Sequence, residues 1–256
     1  LVSRHRSVRA DLATPSPARL RVAICGSPDG AASVAGGVVG GVAREARDGK
    51  AAAGVTVIGE WLEITFRKGG IDRRRPRLVV TTGENGWFFL CNAPSGGTMF
   101  LSAGRGADST DLIEVQVPKE GFARRELYLG FARSVVAVDT TSRADTLGIP
   151  TRHLRVGDGR LRGTVVTSEG SRPLAGAVVR IAGGPMTRAN DQGEWMLVDA
   201  PTGTRVLEVR AVGYYPSRRA VDVVADAGPV RVALSMFTAM LDTVRVLAER
   251  MADSRN

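Results

Sequence analysis

The chain has 256 residues, of which 43% are hydrophobic, so it is long enough for two domains with cores of their own. Aromatic residues make up only 5%, whereas glycine occurs 31 times, a balance that favours short strands and tight turns over a helical bundle. The formal net charge of +9 favours acidic partners, but the basic run "RKGGIDRRRPR" contains no interleaved aromatic residue. The composition therefore argues against a nucleic-acid-binding protein.

Residues 1–35 have no apolar period and are rich in arginine and proline, which predicts an extended N-terminal arm without structure of its own. The sequence begins at Leu1 rather than Met, and we therefore expect that an upstream segment was removed, either as a processed leader or when the chain was cut for expression; the first is consistent with export. The glycine-rich stretch at 30–43 is too short to span a bilayer.

The two cysteines, Cys25 and Cys91, are either free thiols or a disulfide. Their separation excludes a C-x-x-C redox or zinc motif, and the histidines, His5 and His153, lie in unrelated contexts. In an exported protein we expect a disulfide between Cys25 and Cys91. It would tie the arm to a core strand and contribute about 4 kcal/mol in the chain-entropy model.

Turn residues recur between the two halves of the chain in a consistent register. The matched pairs are Gly41 and Gly163, Gly54 and Gly176, Gly86 and Gly193, Pro94 and Pro201, and Gly96 and Gly203. The spacing shortens after the second pair, which predicts an insertion in the first half between Val57 and Thr81. Strand-like runs separated by turns in both halves predict two β-sandwiches.

The basic run at 67–77, within the predicted insertion, carries six cations and one acid, Asp72. The cations are Arg67, Lys68, Arg73, Arg74, Arg75 and Arg77. Such a run is either a solvated loop or a contact element, and crowded like charges favour an acidic partner. Arginine dominates, which suits forked hydrogen bonds to carboxylates or phosphates. We expect these six residues to bind a partner with an acidic face.

Trp87 follows its turn glycine, Gly86, by one residue, whereas Trp195 follows Gly193 by two residues. Because side chains alternate along a strand, the two indoles are predicted to point to opposite faces. Phe88 then takes the inward position that corresponds to Trp195, and Trp87 lies nearer the surface.

Motifs that would support catalysis or ligand binding are missing from the sequence. There is no H-x-x-E zinc-peptidase pair, no G-x-S-x-G elbow, no P-loop and no dinucleotide-binding glycine motif. Asn190 and Asp191 lack the other ligands of a calcium loop. We expect no catalytic residues, no cofactor and no metal site.

The stretch "GTVVTSEGSRPLAGAVVRIAGGPMTRANDQGEWMLVDAPTGTRVLEVRAVGYYP" resembles the carboxypeptidase regulatory-like domain. The shared features are the G-x-V opening, the "PLAGAVV" second strand, a turn ending in glycine, a P-x-G turn and the final "VGYYP". The resemblance covers residues 159–235 well and 36–130 more loosely. It implies transthyretin-like β-sandwiches, which serve as non-catalytic modules in carboxypeptidases, adhesins and outer-membrane receptors.

The expected fold is therefore all-β, with two tandem transthyretin-like (prealbumin-like) sandwiches and two tails. The predicted boundaries are 1–35 for the arm, 36–138 for the first sandwich with the basic insertion, 139–158 for a linker that follows the strand "SVVAVD", 159–235 for the second sandwich and 236–256 for the C-terminal tail.

The tail segment "MFTAMLDTVRVLAER" is similar to the region that precedes the plug of TonB-dependent receptors. Leu241, Val244 and Val246 in this segment either contact a partner or pack onto the second sandwich. We expect the former, as part of a protein-binding tail.

These features together predict a non-enzymatic interaction or accessory subunit of a larger cell-envelope membrane complex. An extrinsic periplasmic subunit that braces a bioenergetic assembly, such as a photosynthetic reaction centre, is one example. The protein is expected to be periplasmic or extracellular-facing and peripheral to a membrane. One alternative is the N-terminal extension of a TonB-dependent transporter. Another is a carbohydrate-binding module, which would need exposed coplanar aromatics, whereas Trp61, Trp87 and Trp195 lie on strands.

Overall fold

The computed structural model describes residues 16–26, 36–138 and 151–237. One helix, α1 (Pro17–Cys25), precedes the strands. The first half contains β1 (Gly37–Glu45), β2 (Thr56–Glu60), β3 (Glu63–Arg67), β4 (Gly70–Arg74), β5 (Arg77–Thr81), β6 (Trp87–Ala93), β7 (Thr98–Arg105), β8 (Asp108–Ser109), β9 (Ile113–Gln116), β10 (Phe122–Arg124) and β11 (Leu127–Leu129). Then follow β12 (Arg133–Val138), β13 (Thr151–Val156), β14 (Gly159–Thr167), β15 (Val178–Ile181), β16 (Met186–Arg188), β17 (Glu194–Ala200), β18 (Gly203–Arg210), β19 (Ser217–Val223) and β20 (Val230–Leu234).

Two β-sandwiches follow one another along the chain. In the first, β1 pairs antiparallel with β6 and parallel with β10 and β11, and it faces a second sheet formed by β5, β2, β7, β8 and β9. In the second, the sheet β17-β14-β20 faces the sheet β16-β15-β18-β19. Each pair of sheets encloses its own apolar core. The all-β fold with two tandem β-sandwiches that the sequence predicts is confirmed.

The matched glycines occupy equivalent places in the two sandwiches. A side chain at Gly41 would overlap the carbonyl of Arg125, and one at Gly163 would overlap the carbonyl of Val230, so only glycine fits beside the parallel neighbour. The φ angle of Gly86 is 72°, and Gly193 has the same value, because both close the turn before an aromatic strand. The repeated turn and strand in the sequence thus build the same corner of each sandwich.

The aromatic residue after each of these turns is buried as predicted. Phe88 is 2% exposed and Trp195 is 4% exposed, and each lies in the core of its sandwich. Trp87 is 41% exposed, which confirms that it lies on the outer face of β6. The two turns are equivalent, and Trp87 lies one residue nearer its glycine than Trp195 does, so Phe88 takes the core position that Trp195 holds in the second sandwich.

The extended N-terminal arm is a wrong prediction for residues 17–25, which form α1. Ser16 is the N-cap and its hydroxyl accepts from the backbone N–H of Arg19 at 3.4 Å, with Pro17 in the first turn. Gly26, with φ 79°, ends the helix. Serine followed by proline, and glycine after the last turn, are ordinary helix boundary signals. The arginine-rich composition masked these signals.

The prediction that "SVVAVD" completes the first sandwich is also wrong. The strand exists as β12, but it pairs antiparallel with β13, in the register Val135 to Leu154. Strand β13 lies inside the predicted linker 139–158, so that segment is not simply a connection. The backbone N–H of Arg155 in β13 donates to the carbonyl of Gly183 at 2.8 Å, which attaches this ribbon to the second sandwich.

A buried carboxylate joins the two sandwiches. Asp111, which is 8% exposed, accepts from the guanidinium of Arg155 at 2.6 Å, from that of Arg205 at 3.3 Å and from the backbone N–H of Val206 at 2.9 Å. Arg205 has no exposed surface and also donates to the carbonyl of Gly130 at 2.9 Å. Burial lowers the pKa of Arg205, and the charge of Asp111 opposes this shift. This network is called the Asp111 clamp.

A second group of hydrogen bonds lies beside the Asp111 clamp. The Asp222 carboxylate accepts from Arg125 and from the Thr204 hydroxyl, each at 2.7 Å. The same hydroxyl accepts from the backbone N–H of Tyr128 at 2.9 Å. Val206, from β18, is buried against the core of the first sandwich. The sandwiches therefore share apolar contacts as well as ion pairs, and they form one packed unit.

Candidate interaction surface

The basic insertion is a β-hairpin. Strands β3 and β4 pair antiparallel, with Arg67 opposite Gly70, so Lys68 and Gly69 form a two-residue turn. Gly69 has φ 125°, a region that residues with a side chain rarely adopt. All ten residues of the two strands except Asp72 are exposed. The interaction hairpin is defined here as residues 62–75.

One face of the interaction hairpin is apolar. Ile64 lies opposite Arg73 and Phe66 lies opposite Ile71, so these four side chains share a face. Phe66 is 78% exposed, Ile71 55% and Ile64 48%. Leu62, which is 51% exposed, continues this alternation towards the base. We call Leu62, Ile64, Phe66 and Ile71 the apolar face.

The opposite face of the interaction hairpin is polar and partly neutralised. Asp72 accepts from Nε of Arg74 at 3.1 Å and lies 3.9 Å from Nη2 of Arg67. Glu63, on the same face as Arg74, accepts from the indole N–H of Trp61 at 2.9 Å. Both acids of the hairpin therefore lie away from the apolar face.

The remaining cations of the insertion form no ion pair among the described residues. They are Lys68, Arg73, Arg75 and Arg77. Arg73 shares the side of Ile64, and Arg75 follows it by the same alternation. The sequence places six cations near one acid, and the structure separates these cations into groups. Arg67 and Arg74 lie beside Asp72, whereas Arg73 and Arg75 lie on the same side of the hairpin as the apolar face.

A groove of about 240 Å³ lies at the base of the interaction hairpin. It is lined by Glu60, Trp61, Leu62, Arg75, Phe100 and Leu112. Phe100 and Leu112 come from the first sandwich and are 36% and 47% exposed. Apolar surface therefore continues from the hairpin onto the body of the first sandwich.

An isolated two-stranded hairpin is marginally stable in water unless a third strand or a packing surface supports it. Here the outer part of the hairpin has no such cover within the described residues, and its apolar side chains remain exposed. Scattered exposed apolar residues are common, but a contiguous patch beside unpaired cations is typical of a contact site. The geometry thus favours a contact element over a solvated loop.

The predicted disulfide between Cys25 and Cys91 is confirmed, with Cα atoms 6.0 Å apart. It attaches the last residue of α1 to the outer side of β6. Arg21 of the same helix lies 5.9 Å from the centre of the Phe122 ring and donates to the carbonyl of Gly36 at 3.2 Å. The helix is therefore held at both its middle and its end.

Removing this cross-link is expected to lower the free energy of unfolding by up to about 4 kcal/mol, because it closes a long loop in the unfolded chain. The measurement is chemical denaturation of the Cys25→Ser/Cys91→Ser variant beside the wild type. In the native wild type, neither thiol should react with an alkylating agent until a reductant is added. Alkylation of both thiols in the unreduced native protein would contradict the disulfide.

Aromatic residues also occur on the outer face of β6. The rings of Trp87 and Phe89 stack, with centroids 5.7 Å apart and planes within 10°. Phe89 lies over Gly40, where a side chain would come within 2.6 Å of the ring. The carbohydrate-binding alternative, which needs exposed coplanar aromatics, stays a prediction.

Other sequence-predicted features have the following outcome. Leu241, Val244 and Val246 lie outside the described residues. Within the described part of the chain, no group of three or more His, Cys, Asp or Glu residues is arranged to hold a metal ion. None of the described helices has the length and apolar character needed to cross a membrane.

The model of the carboxypeptidase regulatory-like domain family matches residues 160–236, which include most of the second sandwich. The second sandwich is therefore similar to domains of this family. The match does not include the first sandwich, so its membership stays a prediction that rests on the shared topology. The similarity of the C-terminal tail to TonB-dependent receptors also stays a prediction. No curated protein sequence matches the chain.

Solved structures of two pilins and of the TIE protein show partial similarity to the chain. The Streptococcal ancillary pilin has 12% identity and a TM-score of 0.28, with 81% of this chain and 64% of the pilin covered. The shaft pilin SpaA from Lactobacillus rhamnosus GG has 8% identity and a TM-score of 0.27, with 80% and 99% covered. The Bacillus anthracis TIE protein has 13% identity and a TM-score of 0.26, with 78% and 34% covered. The chain spans less than two thirds of the length of the ancillary pilin and of the TIE protein, and these scores assign it no function.

Proposed function

We propose that the protein is a non-enzymatic accessory subunit of a cell-envelope complex, and that the interaction hairpin attaches it to an acidic surface of that complex. The observation that carries this proposal is the pairing of an exposed apolar face with unpaired arginines on one hairpin. Buried apolar area provides affinity at a contact, and cations provide orientation and speed of association.

The rest of the molecule supports a scaffolding role. The Asp111 clamp holds the two sandwiches together, so the hairpin projects from a single packed unit. The disulfide between Cys25 and Cys91 is a cross-link of the kind that persists in oxidising compartments, such as the periplasm or the cell surface. We therefore place the protein in the periplasm or facing the outside, peripheral to a membrane.

Reversing the charge of three adjacent hairpin residues tests the proposal. In the Arg73→Glu/Arg74→Glu/Arg75→Glu variant, co-purification with the native complex should be lost, because the acidic surface would then repel the hairpin. The thermal midpoint should change little, since all three side chains are exposed and exposed ion pairs contribute roughly 0–1 kcal/mol. The measurement is affinity purification of the tagged subunit from its own membranes, with quantitative mass spectrometry across a salt series.

The matched control reverses three exposed arginines of the second sandwich, Arg160, Arg162 and Arg210, with the same change in net charge. This control should assemble like the wild type, with the same decrease in binding as salt rises. Assembly of the hairpin variant with unaltered salt dependence would show that the contacts lie elsewhere in the chain.

A further inference from the structure

We infer that the acidic surface recognised by the interaction hairpin is the anionic headgroup layer of a lipid bilayer, on which the apolar face lies. This inference rests on the proposed function only in taking the hairpin as the contact element. It adds the class of the partner, a negatively charged lipid surface rather than an acidic protein.

The distribution of side chains over the hairpin is the first reason. Phe66, Ile71 and Ile64 project from the same face as Arg73. The acids Glu63 and Asp72 are on the other face, where Asp72 neutralises Arg74. A segment that lies in the bilayer interface needs this separation, because its apolar side enters the acyl boundary while cations stay at the phosphates.

The exposure of the face is the second reason. Phe66 is 78% exposed and sits one residue from the turn pair, and every residue from 62 to 71 except the glycines carries its side chain in solvent. The groove that the hairpin helps to line lies at its base, with Leu62 and Phe100 in its lining. A projecting, two-stranded apolar surface fits a planar, deformable layer better than it fits a shaped pocket.

Charge complementarity is the third reason. The formal net charge of +9 attracts the whole chain to an anionic surface, and the unpaired cations of the hairpin, Arg73, Arg75 and Lys68, surround the apolar side chains. Each basic residue near an anionic leaflet contributes about 1 kcal/mol to membrane binding, which falls off within a Debye length. Apolar and electrostatic contributions on the same face therefore act together.

The test is co-sedimentation of the purified chain with lipid vesicles and no other protein. Vesicles of phosphatidylcholine and phosphatidylglycerol should bind the wild type, and vesicles of phosphatidylcholine alone should not. Two variants separate the contributions: Phe66→Ser/Ile71→Ser removes apolar contact without changing charge, and Arg73→Glu/Arg75→Glu reverses charge. Each should bind the mixed vesicles roughly tenfold or more weakly, as the loss of two interfacial contacts predicts.

Matched controls come from the second sandwich. Met186→Ser/Met196→Ser removes two exposed apolar side chains, which are 65% and 60% exposed, and Arg160→Glu/Arg162→Glu reverses two strand arginines. Both should bind the mixed vesicles like the wild type, and all variants should keep the wild-type thermal midpoint.

Two results would overturn the inference. Equal binding by wild type and the Phe66→Ser/Ile71→Ser variant would mean that the association is only electrostatic and that the apolar face is not inserted. Failure of the wild type to bind the anionic vesicles, while the triple charge reversal still detaches it from the native complex, would leave the proposed function intact and identify the acidic surface as protein.

Discussion

Replacing Asp111 with alanine is expected to lower the free energy of unfolding by about 3–5 kcal/mol, because it leaves the guanidinium of Arg205 buried without a counter-charge. Arg205 has no exposed surface, so it cannot turn to solvent without separating the two sandwiches. The backbone N–H of Val206 loses its acceptor as well. At this chain length the expected fall in thermal midpoint is roughly 10 °C.

Denaturant unfolding of the variant and of a matched control measures this effect. The control is Asp226→Ala, which removes an exposed carboxylate of the second sandwich and should change the unfolding free energy by less than about 0.5 kcal/mol. The double variant Asp111→Leu/Arg205→Met should be more stable than Asp111→Ala, because it removes both buried charges and fills the space with apolar atoms. An unchanged midpoint in Asp111→Ala would mean that the clamp does not hold the sandwiches together.

The all-β fold could be predicted from the sequence because its information is local and repeated. Gly41 and Gly163 mark the central strand of each sandwich, and Gly86 and Gly193 mark the turn before the aromatic strand. A side-chain period of two then decides which residue is buried. Trp87 follows its turn glycine by one residue and Trp195 follows its own by two, so Phe88 rather than Trp87 is buried. Such constraints act over a few residues, so a single sequence contains them.

The Asp111 clamp was missed because its parts are far apart in the chain and each has an ordinary local context. Arg205 occupies the same side of β18 as Leu207 and Val209, which are fully buried. A charged residue in the core register of a strand is the signal that was available. It indicates a buried partner but does not say which carboxylate supplies it, since that depends on how the sandwiches pack.

The candidate contact residues were predicted only in part. The basic run 67–77 was recognised by its charge, but its apolar face was not, because Ile64, Phe66 and Ile71 read as ordinary strand residues. Their exposure depends on the hairpin leaving the sheet, and no local pattern encodes that departure. The approach of Arg67 to Asp72 is likewise a consequence of the hairpin register, because it crosses from β3 to β4. Sequence therefore identified the segment, and the fold determined which of its side chains are free.

Truncating the core aromatic residue of either sandwich should lower the free energy of unfolding by about 3–5 kcal/mol, as expected for a buried Phe or Trp replaced by alanine. The variants are Phe88→Ala and Trp195→Ala, whose side chains are 2% and 4% exposed. Trp87→Ala is the matched control, because Trp87 is the neighbour of Phe88 and is 41% exposed. The free energy of unfolding of Trp87→Ala should fall by less than about 1 kcal/mol, because the side chain of Trp87 is already partly exposed in the folded state.

Replacing Trp195 with phenylalanine sharpens this test. The indole N–H of Trp195 is buried and has no hydrogen-bond acceptor among the described residues, whereas the equivalent position of the first sandwich already holds Phe88. Removing an unsatisfied buried donor offsets the smaller ring, so Trp195→Phe should remain within about 1 kcal/mol of the wild type. A large loss in Trp87→Ala together with a small loss in Phe88→Ala would instead mean that the strand register is shifted by one residue, and with it the correspondence between the two sandwiches.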